Sequence, residues 1–293
     1  MLLDSLYPQL YLYQWGEKRT VDPRSGTTFY IPRWKKEANV PFANTEGTVI
    51  GTCPISAQYL SGTLKQFAGA HKHSDVVIQT ALSSAIEGSV RELGKFMAKK
   101  IDTHIRDQVS AAGTFVGGSG VTASANIINT SVLKMSDTIK AEVTLDSNDN
   151  YKFPDGYYAG ILHPKVSYDL KVQTSVGGWI DVHKYDDPET LYRGEIGRAY
   201  GIRWVSSTNV KRLLSGLSVA STSGYRNMVF APGAYHVVEL NGMNAKTYIK
   251  GLGSAGTADP VNQIATVGAK VFFQAVANTL DTRQIRLITG STL

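Results

Sequence analysis

The 293-residue chain has one cysteine, Cys53, so it can form neither an intrachain disulfide nor a cysteine-based zinc site. Such usage fits a reducing compartment. No run approaches ~18 uninterrupted apolar residues, which removes helical membrane spans. The first fifteen residues lack a basic n-region and are interrupted by Asp4, Pro8 and Gln9, so they read as an ordered arm and not as a secretory signal. A protein that is soluble and intracellular at synthesis is expected. Charge is scarce too: 18% of residues are charged, against about 25% in a typical soluble domain. A surface so poor in charge is expected to meet protein over part of its area. Repeats of fixed period and low-complexity tracts are absent, which excludes solenoids and propellers.

The usual reactive motifs are missing as well. There is no GxxxxGK[ST] phosphate loop and no GxSxG nucleophile elbow, and Cys53 stands beside Pro54 without a flanking motif. GLGSAG at 251–256 matches GxGxxG, but Asp259-Pro260 falls where the required helix would begin, so the stretch reads as a glycine-rich interdomain turn. His71, His73 and His104 could supply imidazoles to a metal, yet surface or satisfied histidines are the simpler reading. His163 and His183 lie near Asp169, Asp181, Asp186 and Asp187, which makes a His-Asp pair conceivable without assembling a catalytic set. The net charge of +6 is spread over isolated pairs such as Lys35-Lys36 and Lys99-Lys100, weak for a dedicated nucleic-acid binder.

What is present is architectural. Leu82, Ile86, Val90, Leu93, Met97, Ile101, Ile105 and Val109 recur at helical spacing, predicting one long helix over 81–112 ended by Gly113. Arg91, Glu92, Lys95, Lys99, Asp102 and Arg106 fall on its opposite face, which reads as solvated. Residues 16–50 are punctuated by glycine and proline, and Phe29, Tyr30, Trp34 and Phe42 there have no local core, so they are expected to bury elsewhere. Residues 113–127 read as a loop or junction, 129–143 as a helix, and 157–162, 201–206, 228–230, 235–239 and 245–250 as strands of a mixed α/β region. The last two strands, within 261–274 and 283–288, are expected to return onto the long helix. Structural assembly, not catalysis, is the class that fits.

Five stretches then carry a resemblance: GYYAGILHP at 156–164, SYDL at 167–170, KYDDPE at 184–189, GEIG at 194–197 and GSAGTADP at 253–260. Together they resemble the major capsid proteins of tailed bacteriophages, whose fold was first described in phage Hong Kong 97. The resemblance covers most of the chain. It implies an α+β capsid fold with an N-terminal arm (1–25), an extended β-hairpin loop (26–55), a peripheral domain with a spine helix (56–113 and 252–293) and a mixed axial domain (114–251). Phe29, Tyr30, Arg33, Trp34 and Lys35 of the loop would contact a neighbouring subunit, and Arg91, Lys95 and Lys99 would face DNA. The implied function is a non-enzymatic coat protein without cofactors, assembling in the bacterial host cytoplasm as hexamers and pentamers into an icosahedral shell around double-stranded DNA, and so residing in the virion. Its implied partners are itself, separate scaffolding and portal proteins, decoration proteins and packaged DNA, with no membrane. The alternatives are an encapsulin-type cargo shell, a soluble α/β enzyme or a basic nucleic-acid-binding module.

Overall fold

The computed structural model describes residues 10–34, 46–47, 56–80, 85–173, 195–213, 224–241 and 245–292. A short helix α1 (Tyr11–Trp15) leads into strand β1 (Glu17–Val21). Strands β2 (Thr28–Trp34) and β3 (Ala57–Thr63) form a long hairpin, followed by β4 (Lys65–Ser74), helix α2 (Asp75–Thr80) and the long helix α3 (Ala85–Val109). Then come β5 (Thr114–Gly117), α4 (Met135–Asp146), β6 (Tyr158–Leu162), α5 (Pro164–Lys171), β7 (Glu195–Ala199), β8 (Ile202–Ser206) and β9 (Lys211–Leu213). The chain ends with β10 (Gly224–Phe230), β11 (Tyr235–Leu240), β12 (Lys246–Lys250), β13 (Ile264–Ala277) and β14 (Gln284–Thr289).

Two sheets organise these elements. In the first, β13 pairs with β12 and β11 on one side and with β4 on the other, and β1 adds parallel to β11. Ala265, Val267, Ala269, Val271 and Phe273 alternate along β13 and are buried, the period-two signature of a strand with one face on the core. Helix α3 covers that face of β13 and β4. Its Leu93, Met97, Ile101, Ile105 and Val109 are buried, with Ile86 and Val90 packed against the same core. At 1.5 Å per residue α3 is a rod of about 37 Å, and Gly113, at φ +96°, carries the chain away in a conformation that side chains resist.

The second sheet is mixed, in the order β5-β14-β10-β6-β8-β7 with β9 on β10. Its β6-β8 and β14-β5 pairs are parallel, and Tyr158, Trp204, Val229, Phe230, Ile285 and Leu287 are fully buried in it. A continuous apolar core joins both sheets and α3. Two arginines reinforce the join. Arg226 on β10 donates to the Ser110 carbonyl (2.8 Å) and Arg286 on β14 to the Gly113 carbonyl (2.9 Å). Cations thus meet the unpaired carbonyls at the C-terminal end of α3.

Several expectations are corrected. Helix α3 ends at Val109 and not at Ala112, and residues 81–84, with Leu82, lie outside the described residues. The second helix starts at Met135 and not at Asn129, because the buried Asp137 carboxylate reaches back to the Lys134 N–H (3.1 Å) and fixes the first turn there. Part of 113–127 is the strand β5, held by β14. Of the two C-terminal strands only β13 packs on α3, whereas β14 sits inside the second sheet. Residues 251–256 connect neighbouring strands of one sheet as turns, with no helix to receive a pyrophosphate.

The buried stripe of α3 gives a first test. Ile105→Ala should cost about 2–5 kcal/mol in denaturant unfolding through the cavity it leaves, whereas Glu87→Ala, on the exposed face, should change stability by less than about 0.5 kcal/mol.

Candidate functional site

The chemical candidates resolve into structural roles. His73 shares a hydrogen bond with Ser89 (2.5 Å), and His104 bonds Gln274 (3.1 Å) between the rings of Phe67 and Phe273. Among the described residues, no group of three His, Cys, Asp or Glu side chains could hold a metal. His163 caps α5, accepting from the Lys165 N–H (3.2 Å), and stacks on Tyr225. Asp169 accepts from the Thr292 N–H and hydroxyl. Each is spent on holding a chain end or a strand edge. Cys53, His183, Asp181, Asp186 and Asp187 lie outside the described residues.

The hairpin β2–β3 is the feature built to meet something else. Its register places Tyr30 opposite Ser61, Pro32 opposite Tyr59 and Trp34 opposite Ala57. Period-two alternation sends these residues to one face, where Tyr30 is 67%, Trp34 72% and Tyr59 64% exposed. Exposed aromatics grouped on one face mark a contact surface. The expectation that Phe29 also buries elsewhere is wrong. With Ile31 it takes the other face and packs on Leu60 and Val238 of its own chain, only 7% exposed. Gly62 makes this possible, since a Cβ there would stand 2.6 Å from the Phe29 ring and 2.7 Å from Val276. Lys35 and Phe42 lie outside the described residues.

Arg33 is bound within its own chain as well. Its guanidinium pairs with Asp281 (2.8 Å), which also takes Arg283 (3.2 Å), and these cations draw the Asp281 carboxyl below its usual value against the opposing effect of burial. The same root holds His236, fully buried on β11 with Nδ1 3.3 Å from the Glu17 carboxylate. Burial holds its pKa below the ordinary histidine value; Glu17 opposes this, and Arg19, Arg33 and Arg283 reinforce it.

A second junction was misread in the sequence. Asp102 lies among the charged residues of α3 but is buried, not solvated. One carboxylate oxygen accepts the Leu12 N–H (2.9 Å), and the other accepts the Asn209 amide (2.8 Å). It therefore caps α1, whose own first residues supply no cap, and ties that helix to the loop after β8. Arg106, also assigned to the solvated face, donates to the Asn209 carbonyl (3.2 Å). Burial raises the Asp102 pKa against those hydrogen bonds and the nearby Arg106 charge. Tyr11, Lys99, Asp102, Arg106 and Asn209 line an adjoining cleft of about 600 Å³. Of the three cations expected to face DNA, Arg91 and Lys99 are exposed, and Lys95 pairs with Glu92 (2.7 Å).

A mixed sheet and a helix-backed sheet joined along one rod, with a two-faced hairpin projecting, form the fold of phage capsid proteins. The chain superposes on the capsid of Ralstonia phage GP4 with a TM-score of 0.72 at 11% identity, covering 95% of this chain and 87% of that one. For the capsid of cyanophage P-SCSP1u the values are 0.67, 15%, 94% and 87%. For the head structure of Helicobacter pylori bacteriophage KHP40 they are 0.65, 11%, 95% and 91%. No family model matches the chain, and none of the curated proteins is similar enough to match. Identities this low establish the fold, which is the α+β capsid fold anticipated from the sequence.

Two measurements follow. Asp102→Ala strands the Leu12 N–H and the Asn209 amide; it should cost about 1–3 kcal/mol and speed hydrogen exchange of the Leu12 and Tyr13 amides about tenfold or more. His236 is held neutral by the fold, so it contributes stability that is present above the unfolded value of 6.5 and lost as pH falls towards its lower folded value. Unfolding free energy should drop between pH 7 and pH 5, and His236→Leu should flatten that slope.

Proposed function

We propose that this chain is a coat protein that self-assembles, as hexamers and pentamers, into a closed icosahedral shell around double-stranded DNA, and that it performs no catalysis. The observation that carries the proposal is the exposed Tyr30, Trp34 and Tyr59 face on a hairpin whose other face is already packed, in a chain with the fold of phage capsids. A monomer gains nothing from such a face. A neighbouring copy covering it would gain about 25 cal/mol for each Å² of apolar surface removed from water. The small charge content agrees with extensive protein contact. The encapsulin alternative draws no support from the structures named above, all of which are phage capsids or heads.

In this reading the helix-backed sheet forms the peripheral domain and the mixed sheet the axial domain. The division expected at residue 251 then needs adjustment, with β11 and β12 assigned to the peripheral domain and β14 to the axial one, following sheet membership. Residues 1–25 serve as the arm, clasped through α1, and 26–55 as the intersubunit loop. Arg91, Lys95 and Lys99 are the residues we place towards DNA, where a modest positive charge screens phosphate repulsion without binding tightly. Scaffolding, portal and decoration proteins complete the partners, assembly occurs in the bacterial host cytoplasm, and the shell resides in the virion.

Sedimentation and negative-stain microscopy of the expressed protein, alone and with the proteins encoded beside it, test this directly. Megadalton shells or capsomer rings are expected, and a monomer of about 32 kDa under every condition would overturn the reading. Trp34→Ala should leave unfolding stability within about 0.5 kcal/mol yet prevent shell closure. Normal shells from that variant would remove the hairpin from the contact.

A further inference from the structure

The hairpin of β12 and β13 carries a second outward surface, unrelated to the aromatic hairpin. All five residues of β12 are exposed, and among the described residues it is the outermost strand on its side of the sheet. Lys246 stands directly opposite Lys270, and Lys250 and Lys72 both stand opposite Thr266. Paired residues of adjacent strands share a face, so four lysines occupy the side of the sheet away from α3, around Tyr248. Strands β4, β12 and β13 contain no acidic residue. Asp259, the acid of the connecting turn, is buried and accepts the Ile264 N–H (2.7 Å). Exposed apolar residues accompany the lysines: Ile249 is 58% and Val261 71% exposed, with Leu252 between them. The turn stands clear of the chain, since a Cβ added at Gly251 or Gly256 would meet nothing within 4 Å.

Lysines often guard an edge strand against unwanted pairing. That role does not cover this arrangement, because Lys270 lies on the central strand and Lys72 on the far one, and because a guarded edge has no use for exposed Ile249 and Val261. Opposed like charges and exposed apolar groups both cost free energy in the isolated chain. One partner relieves both. A second copy docking the same surface would set lysine against lysine, and a phosphate backbone would leave the apolar groups uncovered.

We propose that this edge binds a different protein, through an extended segment that alternates carboxylate and apolar side chains and adds as a strand along β12. The carboxylates meet Lys246, Lys250 and Lys270, and the apolar side chains cover Ile249 and reach the turn. This docking is independent of the shell reading, because it requires only the folded chain.

The experiment uses a labelled peptide of alternating Glu and Val, with short duplex DNA as the competing probe, and fluorescence anisotropy on the full chain. The peptide should bind, and Lys250→Glu with Lys270→Glu should weaken it about tenfold or more. Ile249→Ser should weaken it comparably, and Lys140→Glu, on α4, should not. Circular dichroism verifies that each variant is folded. Absence of peptide binding to the wild-type chain would overturn the proposal. So would tighter binding of DNA that is indifferent to Ile249→Ser, which would make the lysines a polyphosphate surface.

Discussion

Strand β13 is the constraint on which the rest of the molecule depends. It has fourteen residues, and its two sides hold β4, β12 and β11 while one face receives α3 and the other, at Val276, the base of the aromatic hairpin. Its alternation must be right at every position. A one-residue slip would turn Val267, Ala269, Val271 and Phe273 to the opposite side and unseat the helix. The residues available to water in the middle of the strand, Gly268 and Lys270, are therefore fixed by the same register that buries their neighbours.

Polar groups fasten what this packing brings together, and they concentrate at junctions. Arg226 and Arg286 hold the C-terminal end of α3 to the mixed sheet, Asp102 holds α1 and the Asn209 loop to the middle of α3, and Asp281 holds Arg33 of the hairpin beside Arg283. Each bond is partly shielded from solvent, so losing one partner leaves the other with an unmet desolvation cost. The apolar core decides that the layers meet. The polar clasps decide at what angle.

The long helix was legible because seven of its eight stripe residues fall within the described chain and each packs on the core, from Ile86 to Val109. The central strands were legible for the same reason, since local periodicity carries their signal. Asp102 was not. A carboxylate opposite an apolar stripe reads as solvated, and only the arrival of Leu12 and Asn209, ninety residues before it and 107 after it, buries it. The placement of β14 was equally beyond local pattern, because pairing with β10 and β5 is a long-range choice. The hairpin was half legible: its surplus of aromatics was visible, but the strand alternation that divides Phe29 from Tyr30 was not applied to a segment broken by proline. The resemblance to phage capsid proteins identified the fold, and the residues it implied for contact divide between exposed Tyr30 and Trp34 and internally bound Phe29 and Arg33.

The rooted hairpin also has a mechanical character. Its base is pinned by the Phe29, Ile31 and Leu60 cluster and by the Arg33 to Asp281 pair, while its seven paired rungs run outward from that base. Seven residues of strand extend about 24 Å at 3.4 Å each. A beam of that length, clamped at one end, converts a ten-degree tilt at the root into a sweep of about 4 Å at Trp34. The angle set by a few buried contacts thus becomes the position of the far aromatic, and a small change in the sheet beneath is read out, magnified, at the point of contact.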